Sequence, residues 1–193
     1  MFRRTLLLLS AVLMLGGCSF GNSSLTGNLA ADYVKGSIKS VVMFPVLNPL
    51  KAAVYQPALQ SELTLALQEK NNTLRFMATN EALTRLMTSD TALASRNVAE
   101  AVFNQTPINQ DEVKTLYSVL GIDAAIICGY TAVDEKTVEM PVYILDLRSG
   151  QVIWHGVSKG WQAPVPGQGR FSPALSKAMT DGLVNLHKIL PVL

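Results

Sequence analysis

The stretch at residues 122–130 constrains the fold most, because almost every residue in it is apolar or small. A run without polar alternation predicts a central β-strand that is covered on both faces. Strands of this kind occur in sheets that carry helices on their faces. The run therefore predicts an α/β domain built around this strand.

The rest of the chain supplies further strands and helices. Strands are predicted at residues 40–46, 74–78, 138–147 and 151–158, and helices at 57–72, 79–87, 91–103, 109–121 and from Ser172 onward. The order β-α-β-α-α-β-β-β-α predicts one α/β domain. Its mixed β-sheet has about five strands, the last three form a C-terminal β-meander, and helices pack on the sheet faces. Pro141 favours an edge position or a bulge for its strand.

Helical spacing and capping residues indicate which side chains are buried. Asn109 followed by Glu112 is close to a capping box at a helix start, and Gly121 suits the helix exit. The inward faces are predicted from the apolar residues Ala82, Leu83, Leu86, Met87, Val113, Leu116, Tyr117 and Leu120. We also expect Ile126, Val142 and Trp154 in the core.

The first residues have the order of an export signal. Arg3 and Arg4 precede an apolar run at residues 6–15 that is too short to span a membrane permanently. Leu15-Gly16-Gly17-Cys18 resembles the lipobox of bacterial lipoproteins. The resemblance implies a signal peptide at 1–17, removed before Cys18, whose thiol then carries diacylglycerol. An ordinary secretory signal and an uncleaved anchor remain as alternatives.

The residues after Cys18 indicate location and organisation. Ser19 stands where Asp tends to retain such lipoproteins in the inner membrane, so the resemblance implies the outer membrane, with the domain facing the periplasm. Residues 18–36 are small and polar, which predicts a lipidated Cys followed by a flexible tether. The α/β domain is expected over residues 37–193.

Charge excludes one class of partner. Removing Arg3 and Arg4 from the 16 basic residues leaves 14, equal to the 14 acidic residues. A neutral chain has no electrostatic surface for nucleic acid, so nucleic-acid binding is not expected.

The sequence offers few groups for catalysis. Cys128 lies in the apolar run and is expected to be a buried hydrophobe. His155 and His187 are the only histidines, too few for a zinc site, so no metal or cofactor is expected. A hydrolase remains an alternative, with a catalytic triad formed by Ser158, His155 and Asp134. A ligand-binding module is another alternative, in which Trp161 and the loop at residues 164–169 form the rim of a pocket.

Two segments resemble a known superfamily. Residues 120–127 close a helix and open a strand, and residues 142–154 form a hairpin with a Ser149-Gly150 turn and Trp154 on its return strand. Behind a lipobox, this pair resembles the superfamily of the curli secretion lipoprotein, the TolB amino-terminal domain and the activator lipoproteins of penicillin-binding proteins. The resemblance implies a TolB-N-terminal-like α/β fold over about residues 36–160.

These observations together predict a non-enzymatic accessory, scaffold or assembly subunit of an envelope complex for secretion, a surface organelle or transport. Its expected partners are the membrane, through the lipid at Cys18, another envelope protein, and a second copy of itself in a homo-oligomer. A periplasmic ligand-binding module and a regulator of peptidoglycan synthesis are the alternatives.

Overall fold

The computed structural model describes residues 24–34, 36–47, 64–65, 67–69, 73–129, 131–132 and 137–161. They contain the strands β1 (Ser24–Leu29), β2 (Ser40–Met43), β3 (Arg75–Met77), β4 (Ala124–Cys128), β5 (Thr131–Ala132), β6 (Thr137–Asp146) and β7 (Gln151–Trp161). The helices are α1 (Thr79–Thr88), α2 (Ala92–Phe103) and α3 (Gln110–Leu120). Residues 64–65 and 67–69, inside the helix predicted at 57–72, are also helical.

Several predictions fall outside the described residues. These are the signal peptide at 1–17, the lipidation site Cys18, the loop at 164–169 and the last helix. The described helices all lack the length and hydropathy of a membrane-spanning segment.

The strands form one mixed sheet in the order β1-β7-β6-β4-β2-β3, and β5 pairs with β6. β2 runs parallel to both of its neighbours, β3 and β4, whereas the pairs β4–β6, β6–β7 and β7–β1 are antiparallel. The α/β class, the mixed sheet and the C-terminal meander are thus confirmed. The sheet has seven strands where about five were predicted, because β1 and the short β5 were not foreseen.

The central position of β4 explains its unbroken apolar sequence. Ile126 and its neighbours on one face join a core that includes Val142 and Trp154. Ile127 and its neighbours on the other face join a second core beneath α1–α3, which includes Leu120. The four residues expected in the core, Leu120, Ile126, Val142 and Trp154, are all buried.

The helix α3 shows how local sequence sets an element's bounds. The Asn109 side chain accepts hydrogen bonds from the backbone N–H groups of Asp111 and Glu112, and Gly121 ends the helix at a left-handed φ of 62°. The Glu112 carboxylate accepts from Asn97 Nδ2 at 2.8 Å, so it contacts α2. Only the Asn109 half of the predicted capping box is therefore seen.

Two side chains predicted to point inward do not. Met87 is 73% exposed and Tyr117 is 40% exposed. Each directly follows a buried leucine, Leu86 or Leu116. It lies at the border of its helix's apolar stripe, where a rotation of about 100° per residue carries it toward solvent.

The tether predicted at 18–36 is wrong over part of its length, because Ser24–Leu29 forms β1. All six residues pair in register with β7, from Ser24 opposite Lys159 to Leu29 opposite Trp154. A Cβ at Gly27 would overlap the Trp154 ring, so the glycine permits this close approach. The small residues that are typical of a linker serve here to pack a strand against an aromatic ring.

Pro141 lies in the interior strand β6, so an edge position is wrong. Its carbonyl accepts a hydrogen bond from Gly129 N–H at 3.2 Å, just beyond the last residue of β4. Pro141 has no N–H to return this bond, so the pair keeps one ladder hydrogen bond instead of two, at a position just beyond the end of β4. The irregularity in register falls instead between Ile144 and Leu145.

Candidate functional site

A groove opens between the end of α2 and the strands β6 and β7. It has a volume of about 350 Å³, which is at the lower end of the range for small-molecule pockets. Its lining consists of the apolar residues Ala101, Val102, Ile108 and Val152 and the polar residues Gln105, Thr106, Tyr143 and His155. No carboxylate, ammonium or guanidinium is found among the described residues that line it, and this part of the lining suits a neutral molecule.

The end of α2 and the paired strands β6 and β7 position the polar residues of the groove. Gln105 follows α2 with a φ of 55°, and its Nε2 donates to Tyr143 Oη at 3.5 Å. The Tyr143 ring meets Phe103 edge to face, with centroids 6.4 Å apart. His155 lies directly opposite Tyr143 in the β6–β7 register. The sequence carried no signal for this groove, because its walls lie far apart along the chain.

The structure does not bring Ser158 and His155 together. They are three residues apart on β7, so their side chains point to opposite faces of the sheet. Ser158 is 1% exposed on the face of Trp154, where its Oγ has no hydrogen-bond partner in the described part of the chain, whereas His155 is exposed at the groove. Asp134 and His187 lie outside the described residues. These positions leave no hydrolytic triad for the described part of the chain.

Cys128 is a core residue, as the sequence predicted. It is fully buried at the end of β4. Burial raises the pKa of its thiol to about 12, so the thiol stays protonated at neutral pH and is a poor nucleophile. Among the described residues, no three His, Cys, Asp or Glu side chains lie close enough together to hold a metal ion.

Asp146, in the hairpin of β6 and β7, belongs to a polar network that reaches the start of β2. Asp146 Oδ2 accepts from Arg148 Nη2 at 2.8 Å, and Arg148 Nη1 donates to the Ser37 carbonyl at 3.0 Å. Burial by itself would raise the pKa of the Asp146 carboxyl, but its bonds and ion pair with Arg148 together lower it. The network joins the hairpin turn to the segment before β2, which is a structural role.

A second carboxylate serves the same end of the sheet. Asp123 Oδ2 accepts from the backbone N–H groups of Lys39 and Ser40 at 2.8 and 3.0 Å, and from Ser40 Oγ at 3.1 Å. Ser40 Oγ in turn accepts from Asp123 N–H at 3.0 Å. This exchange fixes the register between the starts of β2 and β4, and no sequence motif indicates it.

Comparison with known proteins finds similarity in fold. No family model matches the chain, and no curated protein matches it. Similar solved structures include the PelC dodecamer from Paraburkholderia phytofirmans, at 11% identity, 89% coverage of this chain, 99% of that chain and a TM-score of 0.46. Another is lipoprotein GNA1162 from Neisseria meningitidis, at 18% identity, with 80% and 98% coverage and a TM-score of 0.44.

The LpoB C-terminal domain from Salmonella enterica is a third, at 15% identity, with 68% and 88% coverage and a TM-score of 0.42. The resemblance of the sequence to the lipoprotein superfamily therefore stays a prediction. At such identities the likeness concerns the fold alone.

Proposed function

We propose that the chain is a lipid-anchored, non-enzymatic accessory subunit of an envelope complex. It is held at Cys18 in the outer membrane, faces the periplasm and binds a partner protein close to the membrane. Secretion, a surface organelle and transport are the processes that such a subunit would serve. The observation that carries the proposal is the position of β1 directly after the lipobox.

The position of β1 limits how far the domain can move from its anchor. Six residue steps separate Cys18 from Ser24, the first residue of β1. Fully extended, these steps span about 20 Å. Because β1 is fixed to β7 along all six of its residues, the sheet itself begins within that distance of the lipid. A subunit so placed meets partners in or beside its own membrane.

The chemistry of the described residues supports binding over catalysis. The thiol of Cys128 is buried and protonated, and Ser158 and His155 occupy opposite faces of β7. Activation of a nucleophile by a neighbouring base needs both groups within hydrogen-bond reach. The described residues supply no such pair at these positions.

The groove beside Tyr143 favours a second candidate, a periplasmic ligand-binding module. Its apolar floor and neutral polar rim resemble those of small-molecule sites in general. A regulator of peptidoglycan synthesis is less well supported, because such a protein must reach across the cell wall and a link of about 20 Å does not.

The first experiment tests the anchor. Radiolabelled palmitate should be incorporated into the wild type and not into Cys18→Ala. Equal labelling of both proteins would remove the basis of the proposal.

The second experiment tests proximity to the membrane. We expect in vivo crosslinking followed by affinity purification to capture one envelope protein with the wild type. Inserting 20 Gly/Ser residues between Ser19 and Ser24 should reduce that capture, whereas replacing residues 19–23 by other small polar residues at the same length should not. Undiminished capture by a Cys18→Ala chain carrying a soluble secretory signal would contradict the proposal.

The third experiment separates a binding subunit from an enzyme. The double variant His155→Gln with His187→Gln should capture the same partner as the wild type and leave cellular function intact. Loss of function with normal folding and capture would indicate catalysis at a histidine.

A further inference from the structure

The strand β1 presents an edge of the sheet that other strands can reach. Within the described residues it pairs only with β7, and its residues Thr26, Gly27 and Asn28 are exposed. Soluble proteins usually protect an edge strand with a charged residue, a proline or a bulge. Ser24–Leu29 contains no charged residue and no proline, and its register with β7 is unbroken.

The direction of the backbone groups follows from one hydrogen bond. Ala30 N–H donates to the Ile153 carbonyl at 2.8 Å. Backbone groups of an antiparallel strand alternate between its two sides, so the N–H and C=O groups of residues 26 and 28 also point toward β7. The N–H and C=O groups of Leu25, Gly27 and Leu29 therefore point away from the sheet. The edge therefore presents three backbone donors and three backbone acceptors, with one of each on every second residue.

This edge is complementary to itself. When two copies meet antiparallel about a two-fold axis at Gly27, Gly27 lies opposite Gly27 of the second copy and Leu25 opposite Leu29. Each of these three pairs exchanges two backbone hydrogen bonds, and all three outward-facing residues are used. Thr26 lies opposite Asn28, so no like charges meet. Such an interface is isologous and closes at two copies.

The length of chain before β1 fits the same arrangement. In the antiparallel pair the two Ser24 residues lie six residue steps apart, which is about 20 Å along the strands. Each Ser24 is joined to Cys18 of its own chain by six residue steps, which extend to about 20 Å. Both lipids therefore reach one membrane when the paired strands lie along its surface. A lone strand pair is marginal in water, and anchoring two copies in one membrane raises their effective concentration.

We propose that β1 is a homodimerisation site, at which two membrane-anchored copies join their sheets through antiparallel β1–β1 pairing centred on Gly27. The occupant is a second copy of this chain, because the edge is self-complementary and because both anchors reach the same membrane. The argument from the anchors rests on the lipidation of Cys18 in the proposed function, whereas the self-complementary edge does not. A dimer can be present or absent whichever partner protein the subunit binds, so the two proposals can fail separately.

Cysteine crosslinking tests the register. Thr26 and Asn28 of opposite copies form a pair that is not hydrogen-bonded, with Cα atoms about 4.5 Å apart, which suits a disulfide. Thr26 and Thr26 of opposite copies are diagonal neighbours about 7–8 Å apart, too far for one. The buried Cys128 thiol, with its pKa of about 12, does not compete.

The experiment uses the full lipidated chain in native membranes under mild oxidation. Co-expressed Thr26→Cys and Asn28→Cys proteins should form at least five-fold more disulfide-linked dimer than either protein alone. Equal yields in all three samples, no dimer, or a disulfide with a different protein would each overturn the proposal.

A charge exchange at the same two positions provides a second test. In the double variant Thr26→Lys with Asn28→Lys, like charges face each other across the interface, so chemical crosslinking of dimers in membranes should fall at least five-fold. In Thr26→Lys with Asn28→Glu, opposite charges face each other, so the dimer should persist and weaken with added salt. Both positions are exposed, and equal thermal unfolding midpoints would show that folding is unaffected. Retention of the dimer by the first variant would contradict the proposal.

Discussion

The two edges of the sheet differ in length, charge and direction. β1 has six residues, is uncharged and runs antiparallel to β7. β3 has three residues, runs parallel to β2 and contains Arg75, whose Nη2 donates to the Gly121 carbonyl at 3.1 Å. A short edge with an arginine is a poor template for another strand. Among the described residues, the β3 edge is therefore protected, whereas the β1 edge, which lies nearer the start of the chain, is open.

The two edges are also attached to the sheet by different forces. The β1 edge depends on shape, because Gly27 and Gly156 lie where a Cβ would overlap the Trp154 ring. On the β3 side polar contacts join the strands: Arg75 N–H donates to the Lys39 carbonyl, and Asp123 accepts from the start of the adjoining strand β2. Substitutions at the first edge should therefore act through packing, and those at the second through lost hydrogen bonds.

The largest effect is expected at Trp154, which supports the β1 edge. It is 2% exposed, so Trp154→Ala should lower the free energy of unfolding by about 3–5 kcal/mol. Urea denaturation of the domain measures this, with the neighbouring exposed His155→Ala as a control expected within about 0.5 kcal/mol of the wild type. An unchanged midpoint for Trp154→Ala would show that β1 does not depend on the ring.

A smaller effect is expected from Gly27→Ala. The added methyl group would overlap the Trp154 ring, and overpacking of this kind costs about 2 kcal/mol. Because the strain falls on β1, its amides should lose hydrogen-exchange protection before those of β4. The exposed neighbour Thr26→Ala is the matched control. Equal protection of β1 in both variants would argue against close packing at Gly27.

At the opposite side of the sheet, Asp123→Ala leaves the N–H groups of Lys39 and Ser40 without their carboxylate acceptor. We expect a loss of about 1–2 kcal/mol, toward the lower end for bonds to a charged group because the site is partly exposed. Asp123→Asn keeps one acceptor oxygen and should lose less. If the two variants were equally stable by urea denaturation, the carboxylate bonds would not hold the start of β2.

The smallest effect concerns the pH dependence of stability, and it involves the segment at residues 30–39 that joins β1 to β2. Arg148 joins Asp146 to Ser37, which lies in that segment. Because the folded pKa of Asp146 is below its ordinary value of 3.8, its contribution is complete above that value and is lost as pH falls through the folded pKa. Asp146→Asn should cost less than about 1 kcal/mol at pH 7.

Measuring urea midpoints of the wild type and Asp146→Asn from pH 7 down to pH 2 checks this prediction. The two curves should converge as the pH falls. A constant difference over the whole range would show that the carboxylate charge makes no contribution.

Local sequence was enough to predict the elements whose burial is continuous or strictly periodic. β4 was found because all its residues are apolar, and α3 because Asn109 and Gly121 mark its ends. β1 was missed because its residues have the composition of a linker. Its strand conformation depends on β7 and on Trp154, which lie about 130 residues further along the chain.

The candidate sites illustrate the same limit. The groove brings Gln105 against Tyr143, and the polar network brings Ser37 against Arg148. Neither pair has a sequence motif, since each results from the crossing of distant elements. Conversely, His155 and Ser158 are close in sequence, yet strand geometry directs them to opposite faces of the sheet.

The enclosure of Cys128 makes the chain a reporter of its own conformation. In the folded protein the thiol lies in the core at the end of β4 and is protonated, so it reacts slowly with oxidants and with other disulfides. Unfolding exposes it and restores an ordinary thiol. Alkylation of Cys128 under native conditions should therefore count the unfolded molecules, and a disulfide formed there would mark a chain that had lost its fold before it was oxidised.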